Sequence, residues 1–149
     1  MIARCIVGPD NDSCWLAGIR ARNRDALEHV FHAYSGQIAE FLWLVEPRQS
    51  PESACLDVFE DLWHSAATNP PHGALADWLF CRAYRVLQAR TTSTERGALT
   101  FEQRVIVALV YGIRLRLDSI SKITEMTATE VVRHLSEARD HLRHELAQR

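Results

Sequence analysis

Arg116-Leu-Asp-Ser-Ile-Ser-Lys-Ile-Thr-Glu-Met-Thr-Ala-Thr-Glu-Val-Val-Arg-His-Leu135 is the stretch that decides how this chain is read. Ile120 and Ile123 share one side of a short helix, a few residues around Met126 interrupt it, and Thr127-Ala-Thr-Glu130 restarts it. The Thr-x-x-Glu spacing is a capping box, in which hydroxyl and carboxylate each satisfy a backbone donor that the first turn leaves unpaired. In the helix that follows, Val131, Leu135, Ala138, Leu142 and Leu146 recur at steps of four and three, which predicts one apolar stripe packed on the preceding helices. Thr129, Val132, Arg133 and Ser136 point elsewhere. Two short helices with a tight turn, the second carrying small, polar and basic residues on its free face, are the layout of a DNA-reading helix-turn-helix.

The same layout occurs in helical bundles that never touch nucleic acid, so the rest of the chain must decide. The turn holds Thr124-Glu125 where many such motifs use Gly to reach a left-handed backbone. With 149 residues, 47% of them hydrophobic, the chain can bury a core as one domain or as two small helical ones. The formal charge is −2; from residue 100 onward eight basic residues face seven acidic ones, and before it nine face twelve. That balance excludes strong non-specific DNA affinity by the C-terminal part alone, because phosphate neutralisation supplies most of such binding. A DNA reader of this composition needs a partner to hold it in place.

Outward from the opening stretch, the chain reads as helices throughout. Residues 1–11 are expected to form a loose arm ending in Gly8-Pro9-Asp10, after which Asp12-Ser13 caps a short helix over Cys14–Arg22. Leu27, Val30, Phe31, Tyr34, Ile38, Phe41, Leu42 and Val45 keep helical spacing from Arg24 to Val45. Ser50-Pro51 opens a third helix with a capping hydroxyl and then a proline at the first position, and Ala54, Cys55, Val58, Leu62 and Ala66 form its inner stripe. A fourth runs from Leu75 to about Arg90. Thr91–Gly97 is the polar run between periodic segments, and Leu99–Tyr111 begins a second unit with an almost wholly apolar helix. The fold class expected is all-α, as two small helical domains at 12–90 and 99–149 joined by a short linker at 91–98.

Cys5, Cys14, Cys55 and Cys81 show no CxxC pair and read as free thiols of a reducing cytosol; the Cys5/Cys14 spacing matches no common zinc site. No stretch reaches the length of a membrane span and none looks like a secretory signal, so a cytoplasmic location is expected. His29 with His32, and His141 with His144, have helical spacing suited to a metal, but no further Cys or carboxylate cluster completes either site. No phosphate-binding glycine loop or nucleophile motif is present, so no catalytic residue, metal or cofactor is assigned.

Taken in order, these features resemble the extracytoplasmic-function sigma factors, the promoter-recognition subunits of bacterial RNA polymerase, over nearly the whole chain. Leu16–Leu27 with Phe31, Tyr34, Ile38 and Phe41-Leu42 is similar to the start of sigma region 2. Pro51-Glu52 through Val58-Phe59-Glu-Asp-Leu-Trp63 is similar to the family's clamp-binding helix, and Trp78-Leu79-Phe80 with Ala83 to the helix after it. Leu99, Gln103-Arg104, Leu109, Tyr111, Ile120, Val131, Leu135–Arg139 and Leu142-Arg143 fit region 4. The chain departs from the family pattern at Ser53–Asp57, at Tyr84-Arg85 and Ala89, and in the brevity of its linker.

The resemblance implies bacterial core RNA polymerase and promoter DNA as partners, with an anti-sigma factor as a third, and no membrane insertion. Polymerase-facing residues would be Glu52, Asp57, Glu60 and Asp61, which also read as a solvated helix face. Promoter melting at the minus-ten element would fall to Phe80, Arg82, Tyr84 and Arg85 with Trp78, since aromatic faces stack on unpaired bases and guanidinium groups hold the backbone; core packing is the alternative for Trp78 and Phe80. At the minus-thirty-five element Arg133 would contact guanine, with Thr129, Val132, His134 and Ser136 nearby. Arg139 and Arg143 would serve phosphates, or pair with acids one turn away. The alternative function is a sigma-like regulator that binds polymerase or an anti-sigma factor without reading promoters itself.

Overall fold

The computed structural model describes residues 9–68, 74–90 and 99–148, all of whose regular elements are helical. In chain order they are α1 (Pro9–Arg20), α2 (Arg24–Val45), α3 (Pro51–Ser65), α4 (Leu75–Arg90), α5 (Phe101–Val107) continuing as a π-helical segment (Ala108–Ile113), α6 (Leu117–Thr124) and α7 (Ala128–Ala147). The expected tether at 91–98 and Cys5 lie outside the described residues. The first helix begins at Pro9 rather than at the expected Asp12-Ser13 cap, because a proline costs nothing in the first turn, where its missing N–H has no partner to lose. Asp12 then lies inside α1 and accepts the Tyr34 hydroxyl of α2 at 2.8 Å.

α2 is the axis of the molecule. The Asn23 side chain caps it by accepting the Asp25 N–H at 3.0 Å, and Val30, Ile38, Phe41 and Val45 on its inner face are wholly buried. Leu27 and Phe31, which share its apolar spacing, are only half-buried and face α3 across an open groove. α1 approaches α2 so closely that a Cβ added at Gly18 would sit 2.6 Å from the Ala26 Cβ, an atom held by the backbone and unable to swing away. Gly18→Ala is therefore expected to lower stability by about 1–3 kcal/mol through overpacking, measured as a shift of the urea midpoint at unchanged slope.

Ser50 stands at the N-cap of α3 ahead of Pro51, but its hydroxyl makes no capping bond. The turn between α1 and α2 is anchored to the far end of α3: Arg22, at φ 62°, donates to the Trp63 carbonyl at 2.8 Å and lies 5.0 Å over its ring. Phe41 of α2 and Phe80 of α4 meet edge-to-face with centroids 5.7 Å apart.

The second set of helices grows from local chemistry. Thr100 and Gln103 form a capping box at the start of α5, and Thr127 and Glu130 form the one read from the sequence at the start of α7, each of its two bonds 3.2 Å long. Glu125 takes the left-handed conformation that ends α6, with φ 58°. Thr124 helps hold that turn by donating to the Ile120 carbonyl at 2.8 Å. Val131 and Ala138 carry the buried stripe of α7; the expected continuation fails, since Leu142 and Leu146 are exposed where the helix runs past the body. Val105, Ile106, Leu109, Ile120, Ile123 and Val131 belong to the same core cluster as the residues of α1–α4. α2 packs on the π-helical segment and α4 on α6, so the two sets share one interior.

Burial gives this interior a pH dependence. The Cys55 thiol is raised from 9.0 by burial, and the Tyr84 phenol from 10.0 by burial first and the Glu102 charge next. Tyr34 is raised from 10.0 by burial and by its contact with Asp12. A group that holds its proton more tightly when folded contributes stability that is complete below its unfolded value and is lost as pH climbs past it. Stability is expected to decline from about pH 9 upward and more steeply beyond about pH 10, with Tyr34→Phe removing part of the slope. Urea midpoints between pH 7 and 11 measure this; a flat profile would contradict it.

Candidate functional site

The capping box at Thr127 fixes the direction in which α7 leaves the turn, and with it the face the helix offers. Thr129, Val132, Arg133 and Ser136 are all exposed along one ridge of its first turns. Arg133 makes no ion pair or hydrogen bond among the described residues, so its guanidinium is free for an external acceptor. Arg143 extends the ridge, exposed on the overhanging end. Two residues assigned to this face behave differently. His134 is half-buried, and its Nδ1 is sealed from solvent without a hydrogen-bond partner, so the ring turns toward the body. Arg139 donates from Nε to the Tyr111 hydroxyl at 2.8 Å, with its guanidinium 5.8 Å from that ring's centre. It braces α7 on the π-helical segment, a role that neither phosphate contact nor acid pairing anticipated.

α3 presents a second face. Glu52, Leu56 and Glu60 stand exposed at four-residue steps, Leu56 at 59%. Beside them Leu27, Phe31, Leu56, Phe59 and Trp63 line an open apolar groove of about 640 Å³ between α2 and α3. Arg24, Glu28, Glu60 and His64 also line it, and Glu28 and Glu60 lie within 3.6 and 4.0 Å of His32 and His64. Asp57 and Asp61, assigned with Glu52 and Glu60, do not belong to this free face. Asp57 pairs with Arg90 and Asp61 with Arg82 at 3.4 Å, so both are engaged in fastening α3 to α4. Sequence reading missed the groove, because Leu27 and Phe31 carry the spacing of core residues; the visible signal was Leu56, an apolar residue between two acids where the family pattern is broken.

The residues read for promoter melting are the most changed by the structure. Phe80 is 1% exposed against Phe41, and Tyr84 is 6% exposed, stacked on Phe101 of α5 with centroids 5.9 Å apart. Neither ring offers a face to a base in this conformation. Both fell on the inner side of α4 because aromatic residues at helical spacing serve a core as readily as a ligand. Arg82 lies 4.9 Å over the half-buried Trp78 and pairs with Asp61; Arg85 pairs with Glu125, at the end of α6, at 3.1 Å.

Among the described residues, no group of three or more His, Cys, Asp or Glu side chains is placed to hold a metal ion, and no helix is long and apolar enough to cross a membrane. Cys14 is exposed and Cys55 is buried with its thiol 3.9 Å from the Ser35 carbonyl, while Cys81 is intermediate.

No protein-family model matches the chain, and no curated protein matches it. The arrangement has a clear counterpart among solved structures: that of CnrH in complex with the cytosolic domain of CnrY, at a TM-score of 0.79 and 16% identity, over 93% of this chain and 98% of that one. Coverage of that extent takes in both helical sets in one superposition. The chain shares the fold of CnrH, and every regular element among its described residues is helical.

Proposed function

We propose that the chain is a divergent sigma factor, which binds bacterial core RNA polymerase through the α3 face and reads a minus-thirty-five element through α7. The observation that carries this reading is Arg133, which has no ion pair or hydrogen bond among the described residues and stands on an exposed ridge of a capped second helix, in a fold shared with CnrH. The polymerase contact falls on Glu52, Leu56 and Glu60, with Asp57 and Asp61 setting the helix that presents them. Thr129, Val132, Arg133 and Ser136 read base edges, and Arg143 meets phosphate. The near-neutral charge of the C-terminal set fits a reader whose affinity comes mainly from the enzyme that carries it. The complex of CnrH with the cytosolic domain of CnrY supports a protein partner of anti-sigma type for this chain as well. No catalytic step is assigned to it.

A specific observation favours a second reading, a regulator that occupies polymerase without melting promoters: Phe80 and Tyr84 are buried and Arg82 and Arg85 are ion-paired. Both readings require the α3 face. Fluorescence anisotropy of the labelled chain titrated with core polymerase is expected to show saturable binding, weakened at least about 10-fold by Leu56→Asp, as an anchor at the centre of an interface would be. The melting temperature of that variant should stay where it is, because Leu56 is exposed. No saturable binding by the unaltered chain would exclude both readings.

A further inference from the structure

Three features on the outer side of α2 are unaccounted for by the packing of one chain. Gly36 stands in the middle of the helix, where glycine is destabilising relative to alanine, yet a Cβ added there would meet nothing within 4 Å. Gly18 and Gly112 differ, since at each of them an added Cβ would strike a neighbour in the same chain. Trp43 is 53% exposed near the end of the helix. The groove lined by Leu27, Phe31 and Leu56 stands open, and a further hollow of about 420 Å³ continues it past Ser35, Gly36 and Ala39.

Their spacing relates the three. Leu27, Phe31, Ser35, Ala39 and Trp43 follow one another at four-residue steps and form one ridge of α2. Gly36 adjoins the middle of this ridge, seven residues before Trp43, and five and nine after Phe31 and Leu27. The projecting ring and the groove thus lie at nearly equal distances of ~10 Å on either side of it, at 1.5 Å per residue. A two-fold axis through Gly36 exchanges them, and an isologous pair requires such a self-complementary patch. A partner of any other kind would need no such symmetry. The patch from Leu27 to Trp43 is ~24 Å long and about two helices, or ~20 Å, wide. Two copies therefore cover about 1,000 Å² between them, the size at which a specific interface begins.

We propose that the chain pairs with a second copy of itself across this face, in an antiparallel arrangement centred on Gly36 that seats the Trp43 of each copy in the groove of the other. Glycine at the axis lets the two backbones approach closely. Leu56 lies inside the contact, so a paired chain has no free α3 face, and polymerase and a second copy compete for it. That competition rests on the proposed function; the pairing does not.

Sedimentation equilibrium should show the mass rising from 17.0 kDa toward twice that value. The rise should fall between about 1 and about 200 µM, the range suited to an interface of this size. Trp43→Ala and Gly36→Arg should each weaken association at least about 10-fold, as changes at the centre of an interface do. Both positions are exposed, so the melting temperature below the midpoint of association should stay where it is. Leu56→Asp should weaken pairing from the groove side. A mixture of Trp43→Ala and Leu56→Asp chains regains one intact contact that each variant alone lacks, and should associate at least about 5-fold more tightly than either. A chain that stays at 17.0 kDa throughout would overturn the pairing, as would a mixture no tighter than its components. Association indifferent to Trp43→Ala and Gly36→Arg would overturn it too, and is the result expected if the exposed Leu142 and Leu146 of α7 join the copies instead. Core polymerase added in excess to the paired chain should give complexes holding one copy each; complexes holding two would overturn the competition. Pairing as stated with no polymerase binding in any state would overturn the functional reading and leave the pairing standing.

Discussion

Phe80→Ala is expected to lower the stability of the folded chain by about 3–5 kcal/mol, a large part of what a domain of this size has. The ring is 1% exposed and lies edge-to-face with Phe41, so its removal leaves a cavity walled by residues from α2 and α4 that cannot collapse onto one another. The loss combines the transfer free energy of the ring with the contacts forfeited around the void. Urea denaturation followed by circular dichroism measures it. A residue whose ring served to stack on an unpaired base would behave in the opposite way, with little change in stability and a loss confined to DNA binding. A cost below about 1 kcal/mol would therefore return Phe80 to the candidate DNA-contacting set.

Arg133→Ala is expected to weaken sequence-specific DNA recognition by roughly 5- to 150-fold, the range of a lost bidentate contact to guanine worth about 1–3 kcal/mol. Its guanidinium is exposed on the α7 ridge and has no partner among the described residues, so truncation strands no buried charge and opens no cavity. The melting temperature should be unaffected. Competition binding of the polymerase-bound chain to duplexes that differ at one guanine measures the effect. Arg133→Ala should equalise the two duplexes, whereas Arg143→Ala should weaken both alike. Arg139→Ala belongs to neither pattern, because Arg139 is engaged with Tyr111 and its loss acts through the placement of α7.

Much of the fold could be read before any coordinates. The α2 and α3 stripes and the Thr127/Glu130 box are local signals, set by helical period and by the donors that a first turn leaves open. The second box, at Thr100 and Gln103, is equally local: a hydroxyl and an amide three residues apart, directly ahead of an apolar run. Pro9 shows the ambiguity of a breaker, since the same residue that stops one helix can start another. The π-helical segment at Ala108–Ile113 has no sequence period of its own, and neither does the close approach of its Gly112 to Leu44 of α2.

The candidate site was legible in part, for a similar reason. Exposure of Thr129, Val132, Arg133 and Ser136 follows from the phase of α7 alone. Asp57, Asp61 and Arg85 carry charges whose partners lie 33, 21 and 40 residues away in sequence, so only the packing of α3 on α4 and of α4 on α6 could assign them. Leu142 and Leu146 kept a perfect stripe after the body had ended. Periodicity states which face of a helix is apolar, and says nothing of how far the neighbour extends.

Run-off transcription with mapped start sites, using purified core polymerase, the chain and a genomic promoter library, tests the central claim most directly. The account predicts discrete starts that require the chain, disappear with Leu56→Asp through lost polymerase binding, and disappear with Arg133→Ala although binding persists. Saturable binding to polymerase with no start beyond those of the core enzyme alone would contradict it.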